Sequence, residues 1–282
     1  MTPLRELNHS VVIPVLESFE RVNLDLLDVL ESLSPSEWEQ PTVHPQRDVK
    51  DLAAHLLHGS LRRVTGLRDL YPRSGPDLKS NEELIAFIQQ DNREFMTGMR
   101  RISPQILVEL IKHYDPEVLR LFRAMDPHAA GLGVAWAGES SSPRWFDIAR
   151  EYTEKWHHQQ QIRDATHRPL QYDRSLLVPV LETFARGLPF ACREFPGAVG
   201  CHVSIGTTGP ATCSWTLVRQ PDRWSISSGL SSEASARISL PADTAWRVWT
   251  KSLTPAKARE HTIAEGDGAA LEPLLDFVAI MA

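Results

Sequence analysis

Cysteine is scarce in this chain, with three residues among 282: Cys192, Cys201 and Cys213. The number is odd and none of them forms a C-x-x-C pair, which argues against a disulfide framework and against a cysteine-ligated zinc site. The sequence also lacks any run of about 18 apolar residues, the length that a membrane-spanning helix needs. The N-terminus shows no secretory signal pattern. Together these absences predict a protein of the reducing cytoplasm.

Basic residues are also fewer than acidic ones. The chain has 30 Lys and Arg against 36 Asp and Glu, so its formal net charge is -6. A nucleic acid or an anionic membrane would favour a basic surface, so neither is expected as a partner, and a small-molecule substrate is. With 282 residues, 42% of them hydrophobic and 23% charged, the chain is a globular protein long enough for two domains with separate cores. The sequence does not indicate an oligomeric state.

The first half of the chain carries apolar residues at helical spacing. Over residues 12–33 they recur every three or four positions, which predicts an amphipathic helix. Further helix starts are marked by a capping side chain or by proline in the first turn, at Asp48, Ser80, Pro104 and Ser142. The last long helix is expected from Arg144 to about Thr166. We therefore predict an all-α domain over residues 1–170, a bundle with four principal helices.

Beyond residue 170 the apolar pattern changes. A helix over about 175–195 leads into short segments that alternate apolar and polar residues, separated by turn-forming residues. These predicted strands are 202–205, 214–218, 224–226 and 236–240. Two more helices are expected, near 244–250 and 269–281. The pattern indicates a smaller α+β domain over residues 171–282, with an antiparallel sheet covered by helices.

The segment 151–162 carries the strongest chemical signal. Glu154 and His158 are four residues apart, so they share one face of the last bundle helix and can direct an oxygen and a nitrogen at one ion. His55 lies beside the apolar stripe of the second helix and is the candidate third ligand. Buried ionisable groups must be paired or bind metal. One carboxylate with two imidazoles suits Zn²⁺, while nickel, iron and manganese stay open.

Interpretations of the same residues that involve no metal stay open at this point. A Glu and a His four apart also make an ordinary surface pair, and a histidine on a helix is more often structural than a metal ligand. Glu151 competes with Glu154 for the ligand role, and His157 competes with His158. For Asp91 and Asn92 of the third helix there are two interpretations, as residues that line the cavity or as solvated polar residues, and the second is favoured.

The sequence also resembles a known family. The order Leu-Ser-Pro-Ser-Glu-Trp38, followed by Asp48-Val-Lys-Asp-Leu-Ala-Ala-His55, is similar to the N-terminal part of the DinB-like metalloprotein superfamily. Its closest branch is the mycothiol-dependent maleylpyruvate isomerases. In that branch a His of the second helix and a Glu-x-x-x-His pair of the last bundle helix hold zinc, and these match His55, Glu154 and His158.

Two more stretches carry the resemblance. The segment His-His158-Gln-Gln-Gln-Ile162 is similar to the His-His-x-x-Gln-Ile signature of other DinB-like branches, and residues 215–243 are similar to the sterol-carrier-like domain that follows the bundle. Two positions depart from the family pattern. Arg47 replaces a usual aromatic residue, and the segment 250–252 replaces a usual Gly-Arg, so the substrate is left open.

The resemblance implies a zinc-dependent enzyme that uses a low-molecular-weight thiol, such as mycothiol, for S-transfer or cis-trans isomerisation of a small electrophile. Glu151 and His157 would support the ligands or transfer protons, and Arg237 would meet a substrate carboxylate. Two alternatives remain. One is a hydrolase in which metal-bound water replaces the thiol. The other is a non-catalytic binding protein, in which the metal only braces the bundle and the second domain holds an apolar ligand.

Overall fold

The computed structural model describes residues 4–71 and 80–279 of the chain. They divide into two compact units that are interleaved in sequence. The helical unit consists of the described residues of Val15–Asp126 together with Arg150–Gln171. The sheet unit contains the described residues up to Pro14, Pro127–Ala149 and the described residues from Tyr172 onward.

Five α-helices occur in the described part of the helical unit, four of them lying entirely within it. Their bounds are α1 Leu16–Glu31, α2 Val49–Leu67, α3 Asn81–Met99, α4 Pro104–Arg123 and α5 Arg144–Ala165. The caps predicted at Asp48 and Ser80 are confirmed, because Asp48 Oδ1 accepts a hydrogen bond from Asp51 N at 2.8 Å and Ser80 Oγ accepts one from Glu83 N at 3.2 Å. The cap predicted at Ser142 stays a prediction, since its Oγ donates to the carbonyl of Leu132 at 2.7 Å. Within the described residues, no helix is both long and apolar enough to cross a membrane.

In the core of the helical unit, α2 is packed between two other helices. This helix packs against α3 and α4, and α4 also packs against α1. On α2 the fully buried residues include Leu52, Ala53, Ala54 and Leu57, and they meet apolar side chains of α1 and α4 such as Leu26 and Ile111. Burial of these side chains drives the association. As a result, His55 projects from a helix whose other faces are already packed.

The sheet unit is built on six described strands. They are β1 Arg5–Glu6, β2 His202–Thr208, β3 Ser214–Arg219, β4 Trp224–Ser228, β5 Ala236–Pro241 and β6 Ile263–Gly266, in the spatial order β1-β4-β3-β2-β5-β6. All neighbouring pairs are antiparallel except β2 and β5, which are parallel. The predicted fold class, a helical bundle with an antiparallel-rich sheet domain, is confirmed. The short edge strands β1 and β6 were not predicted.

The helices of the sheet unit differ from the prediction in two places. They are α6 Arg174–Ala185, α7 Leu188–Ala191, α8 Ala242–Trp249, α9 Pro255–Glu260 and α10 Leu271–Leu275. The single helix predicted over 175–195 is wrong, because Pro189 has no N–H for the carbonyl of Ala185 and the helix ends there. The helix predicted over 269–281 is also too long. The N–H of Ala279 bonds instead to the carbonyl of Trp249, and residues 280 and 281 lie outside the described residues.

The interleaving brings two early segments into the sheet unit. Strand β1 pairs with β4, and Trp145 Nε1 donates to the carbonyl of His9 at 3.0 Å. Arg186 donates to the carbonyls of Leu7, Asn8 and Val11. The observed division after Gln171 lies next to the predicted boundary, whereas the prediction had placed all of 1–170 in the bundle. The division into two separate folding domains stays a prediction.

Candidate metal centre

Three side chains predicted as metal ligands converge within the helical unit. His55 on α2 places Nε2 3.7 Å from Glu154 Oε2 on α5, and His158 Nε2 lies 3.3 Å from the same oxygen. One ligand atom from each residue lies within 4.8 Å of the other two. The rings of His55 and His158 stand edge-to-face, with centroids 4.9 Å apart. Two helices far apart in sequence thus bring two nitrogens and an oxygen to one point.

A glutamine orients one of the imidazoles. The Nδ1–H of His158 donates to Gln161 Oε1 at 2.7 Å, one turn further along α5. With the proton assigned to Nδ1, the Nε2 atom keeps its lone pair on the side of Glu154. Hydrogen bonds of this kind fix the tautomer and the orientation of metal-ligating histidines. Gln161 follows His158 by three residues and so shares its helix face.

The electrostatics of the three side chains suit a cation. Burial lowers the pKa of both His55 and His158, so both imidazoles stay neutral at physiological pH. Burial acts to raise the pKa of Glu154, but the close contacts of its carboxylate with the side chains of His158 and His55 outweigh it and hold that pKa well below its usual range. The set therefore offers two neutral nitrogen donors and one carboxylate, which are the protonation states that metal binding requires.

The residues present fit a bound divalent cation. Zinc binds imidazole nitrogen and carboxylate oxygen at roughly 2.0–2.2 Å, so neighbouring ligand atoms of a tetrahedral site lie about 3.3 Å apart. The observed separations of 3.3 and 3.7 Å from Glu154 Oε2 are close to this value. The Nδ1 atom of His55 is buried without a hydrogen-bond partner, so no competing contact holds the ring. Three protein ligands leave one coordination position for another molecule.

Glu151, the rival ligand, is engaged elsewhere. Arg63 of α2 donates to Glu151 Oε1 through Nε at 2.8 Å and through Nη2 at 2.5 Å. The guanidinium neutralises the carboxylate, so Glu151 joins α5 to α2 one turn before Glu154.

His157, the other rival, points into the protein. It is 1% exposed, and its Nδ1–H donates to the carbonyl of Thr153 at 2.7 Å. Its Nε2 has no hydrogen-bond partner. Burial, helped by the neighbouring ring of His158, lowers the pKa of His157 to about 3. The group is therefore neutral at physiological pH and a poor proton acceptor there.

Another histidine of α2 joins the third helix. His58 Nδ1 donates to Asn92 Oδ1 at 3.0 Å, its Nε2 lies 3.6 Å from Asp91 Oδ2, and its ring stacks on Phe95 at 4.4 Å. The interpretation of the pair 91–92 as solvated is therefore wrong for Asn92, which is 7% exposed. Its contact holds α3 against α2, one helical turn from His55.

Arg237 lies in the sheet unit, on β5. Its guanidinium is exposed and donates to the carbonyls of Ser231 and Ser232 at 3.3 and 2.9 Å. Two of its five N–H donors at most are used in this way, so others remain available to an anion. Its predicted contact with a substrate carboxylate stays a prediction.

Comparison with known proteins adds to this geometry. The family model described as mycothiol maleylpyruvate isomerase N-terminal domain matches residues 19–163. Two solved structures are similar, those of the mycothiol-dependent maleylpyruvate isomerase and of a histidine-to-alanine mutant of it. Each is 11% identical with a TM-score of 0.51, and the alignment covers 85% of this chain and 89% of that one, so the likeness concerns the fold. No curated protein sequence matches the chain.

The match with the family model has a direct bearing on the three converging side chains. It includes both helices that carry them and extends over more than half of the 282 residues. The chain therefore belongs to the mycothiol maleylpyruvate isomerase N-terminal domain family.

Proposed function

We propose that this protein is a metal-dependent enzyme that uses a low-molecular-weight thiol, such as mycothiol, on a small electrophilic substrate. The reaction is S-transfer or cis-trans isomerisation, and the metal is zinc. The observation that carries the proposal is the convergence of His55, Glu154 and His158 in suitable protonation states. Membership of the family supports the thiol, and the cytoplasm, where small thiols are reduced, is the proposed location.

The residues of the site have distinct parts in this proposal. A bound zinc would hold the thiol as a thiolate at neutral pH, which is the nucleophilic form. His55 and His158 supply neutral nitrogen, with Gln161 fixing the ring of His158. Glu154 supplies the negative charge. Burial holds His157 neutral, so this residue adds no positive charge beside the metal ligands.

The chemistry of the electrophile determines the outcome. The thiolate forms a C–S bond with one carbon of an activated double bond. If the adduct is protonated and released, the result is S-transfer. If the new single bond rotates and the thiolate leaves again, the double bond is restored as the other isomer and the thiol is regenerated. Arg237 is our candidate to bind a carboxylate of such a substrate, and Glu151 with Arg63 supports the position of α5.

Metal analysis of the purified protein tests the site. We expect about one equivalent of zinc per chain in the wild type and loss of it in His158→Ala, because removal of one of three ligands leaves an incomplete set. His113→Ala is the matched control, since His113 is an exposed histidine on α4 of the same unit. Full metal occupancy in His158→Ala would refute the ligand assignment.

Turnover with added thiols tests the chemistry. Mycothiol, bacillithiol or glutathione is mixed with a generic electrophile, with and without a chelator. We expect turnover that needs both the thiol and the metal. Thiol-independent cleavage of an ester or amide that a chelator abolishes would establish the hydrolase instead. Stoichiometric metal with neither activity would leave the metal as a brace in a binding protein.

A further inference from the structure

Three buried polar side chains form a chain of contacts through the helical unit. Ser60 Oγ donates to Asp115 Oδ1 at 2.7 Å, and Lys155 Nζ forms an ion pair with Asp115 Oδ2. The exposed fractions of Ser60, Asp115 and Lys155 are 2%, 1% and 5%. A carboxylate and an ammonium so far from water are retained only as partners, because a single buried charge is very costly.

The contacts connect the two helices that carry the candidate ligands. Ser60 lies on α2, five residues after His55, and Lys155 lies on α5 directly after Glu154. Asp115 comes from α4, which provides none of the three ligands. One carboxylate therefore holds both ligand-bearing helices at once.

The geometry of the metal centre depends on the register of these two helices. Arg63 meets Glu151 while His55 meets His158, so α2 and α5 run antiparallel. A slip of one residue would shift a ligand by about 1.5 Å and turn it by about 100°. Metal–ligand distances tolerate only about 0.2 Å. Even a small slip would therefore take His55 out of bonding reach.

Apolar packing does not fix such a register well. Burial of apolar area is non-directional, so a slipped alignment can still cover much of the same apolar surface. The Arg63–Glu151 pair joins the same helices, but its side chains are 20% and 24% exposed, so water competes with it. A fully buried polar contact is satisfied in one alignment only.

We propose that Asp115 is a positioning residue for the metal centre. By binding Ser60 and Lys155 together, it fixes α2 against α5 and holds His55 within reach of Glu154 and His158. The inference rests on the proposed function, since it takes these three side chains as ligands. Buried ion pairs are weak contributors to stability, and selection of one register is their best-attested use.

The test replaces the three polar groups by apolar ones of similar size, Ser60→Ala, Asp115→Leu and Lys155→Met together. Such replacements commonly preserve stability, so the variant should keep its helical content and its urea midpoint. We expect its dissociation constant for zinc, measured by competition with a chromophoric chelator, to rise about tenfold or more, as for other groups that orient metal ligands. Co²⁺ in place of zinc should give an altered d–d spectrum.

A matched control removes a buried carboxylate contact of α2 that does not involve α5. Asp51 is 2% exposed and binds Arg100, the residue that follows α3. Asp51→Asn should leave the zinc affinity unchanged. Equal zinc affinity in the wild type and the triple variant would overturn the proposal. If the triple variant fails to fold, Ser60→Ala alone, which keeps the ion pair, should still weaken zinc binding, and unchanged affinity there would overturn it.

A metal-free readout separates this inference from the proposed function. In the apoprotein, imidazole ¹⁵N NMR signals report the contacts of His55 with Glu154 and of His158 with Gln161. We expect the His55 signals to move in the triple variant and the His158–Gln161 contact, which lies within α5, to persist. Absence of zinc binding by the wild type would refute the proposed function. Unchanged His55 signals would refute the role of Asp115 in the register.

Discussion

The buried ring of His157 should make the helical unit sensitive to acid. Burial lowers the pKa of His157 from 6.5 to about 3, while the unfolded chain keeps the ordinary value. Between these values the unfolded state binds a proton that the folded state does not. The contribution of His157 to the free energy of unfolding is therefore fully present above pH 6.5. It falls by about 1.4 kcal/mol for each pH unit below that value. At about pH 4.5 the loss amounts to about 3 kcal/mol.

Urea denaturation of the metal-free protein measures this loss. His157→Phe keeps a ring in the cavity but removes the titrating group and the hydrogen bond to Thr153, which costs about 1 kcal/mol at every pH. Between about pH 7.5 and about pH 4.5, the wild type should lose about 3 kcal/mol more than His157→Phe. His113→Phe, at an exposed position, should lose as much as the wild type. Equal losses in the wild type and His157→Phe would refute the reasoning.

Thiol burial, a helix cap and a glycine turn each give a measurable outcome. Burial raises the pKa of Cys213 to about 12, so alkylation of the native protein should modify the more exposed Cys201 first in peptide mass spectra; equal rates would contradict this. Asp48→Ala should lower the free energy of unfolding by about 1 kcal/mol, whereas the Asn variant should cap nearly as well. Gly138 has φ 71° and no room for a Cβ, so its replacement by Ala should destabilise by about 1–3 kcal/mol in urea titrations, while Gly98→Ala should not.

Local signals predicted much of the helical unit. The caps at Asp48 and Ser80 act within one turn of the chain, so the residue type alone indicates where each helix begins. The pairing of Glu154 with His158 is likewise a property of one helix, since residues four apart share a face. Convergence of His55 on that pair is a long-range contact. Its prediction needed the family resemblance as well as the apolar stripe beside it.

A local helix break and contacts between elements distant in the sequence account for what was missed. The break after α6 depends on Pro189, which the apolar periodicity of 175–195 does not register. The sequence around Asn92 is typical of a surface position, and its burial depends on a contact with His58 of another helix. The same holds for Asp115, whose two partners lie 55 and 40 positions away. Polar pairs of this kind follow from the packing of helices and leave no periodic mark on the chain.

The N-terminal segment has a consequence for attempts to produce the C-terminal half alone. A protein cut before residue 171 would lose β1, exposing the backbone edge of β4 to pairing with other chains. It would also remove the hydrogen-bond acceptors of the Arg186 guanidinium, the carbonyls of Leu7, Asn8 and Val11. Because Arg186 is only 9% exposed, a charge left there without acceptors is costly. Such a fragment should aggregate, and joining both residues 4–14 and residues 127–149 to it through flexible linkers should restore solubility.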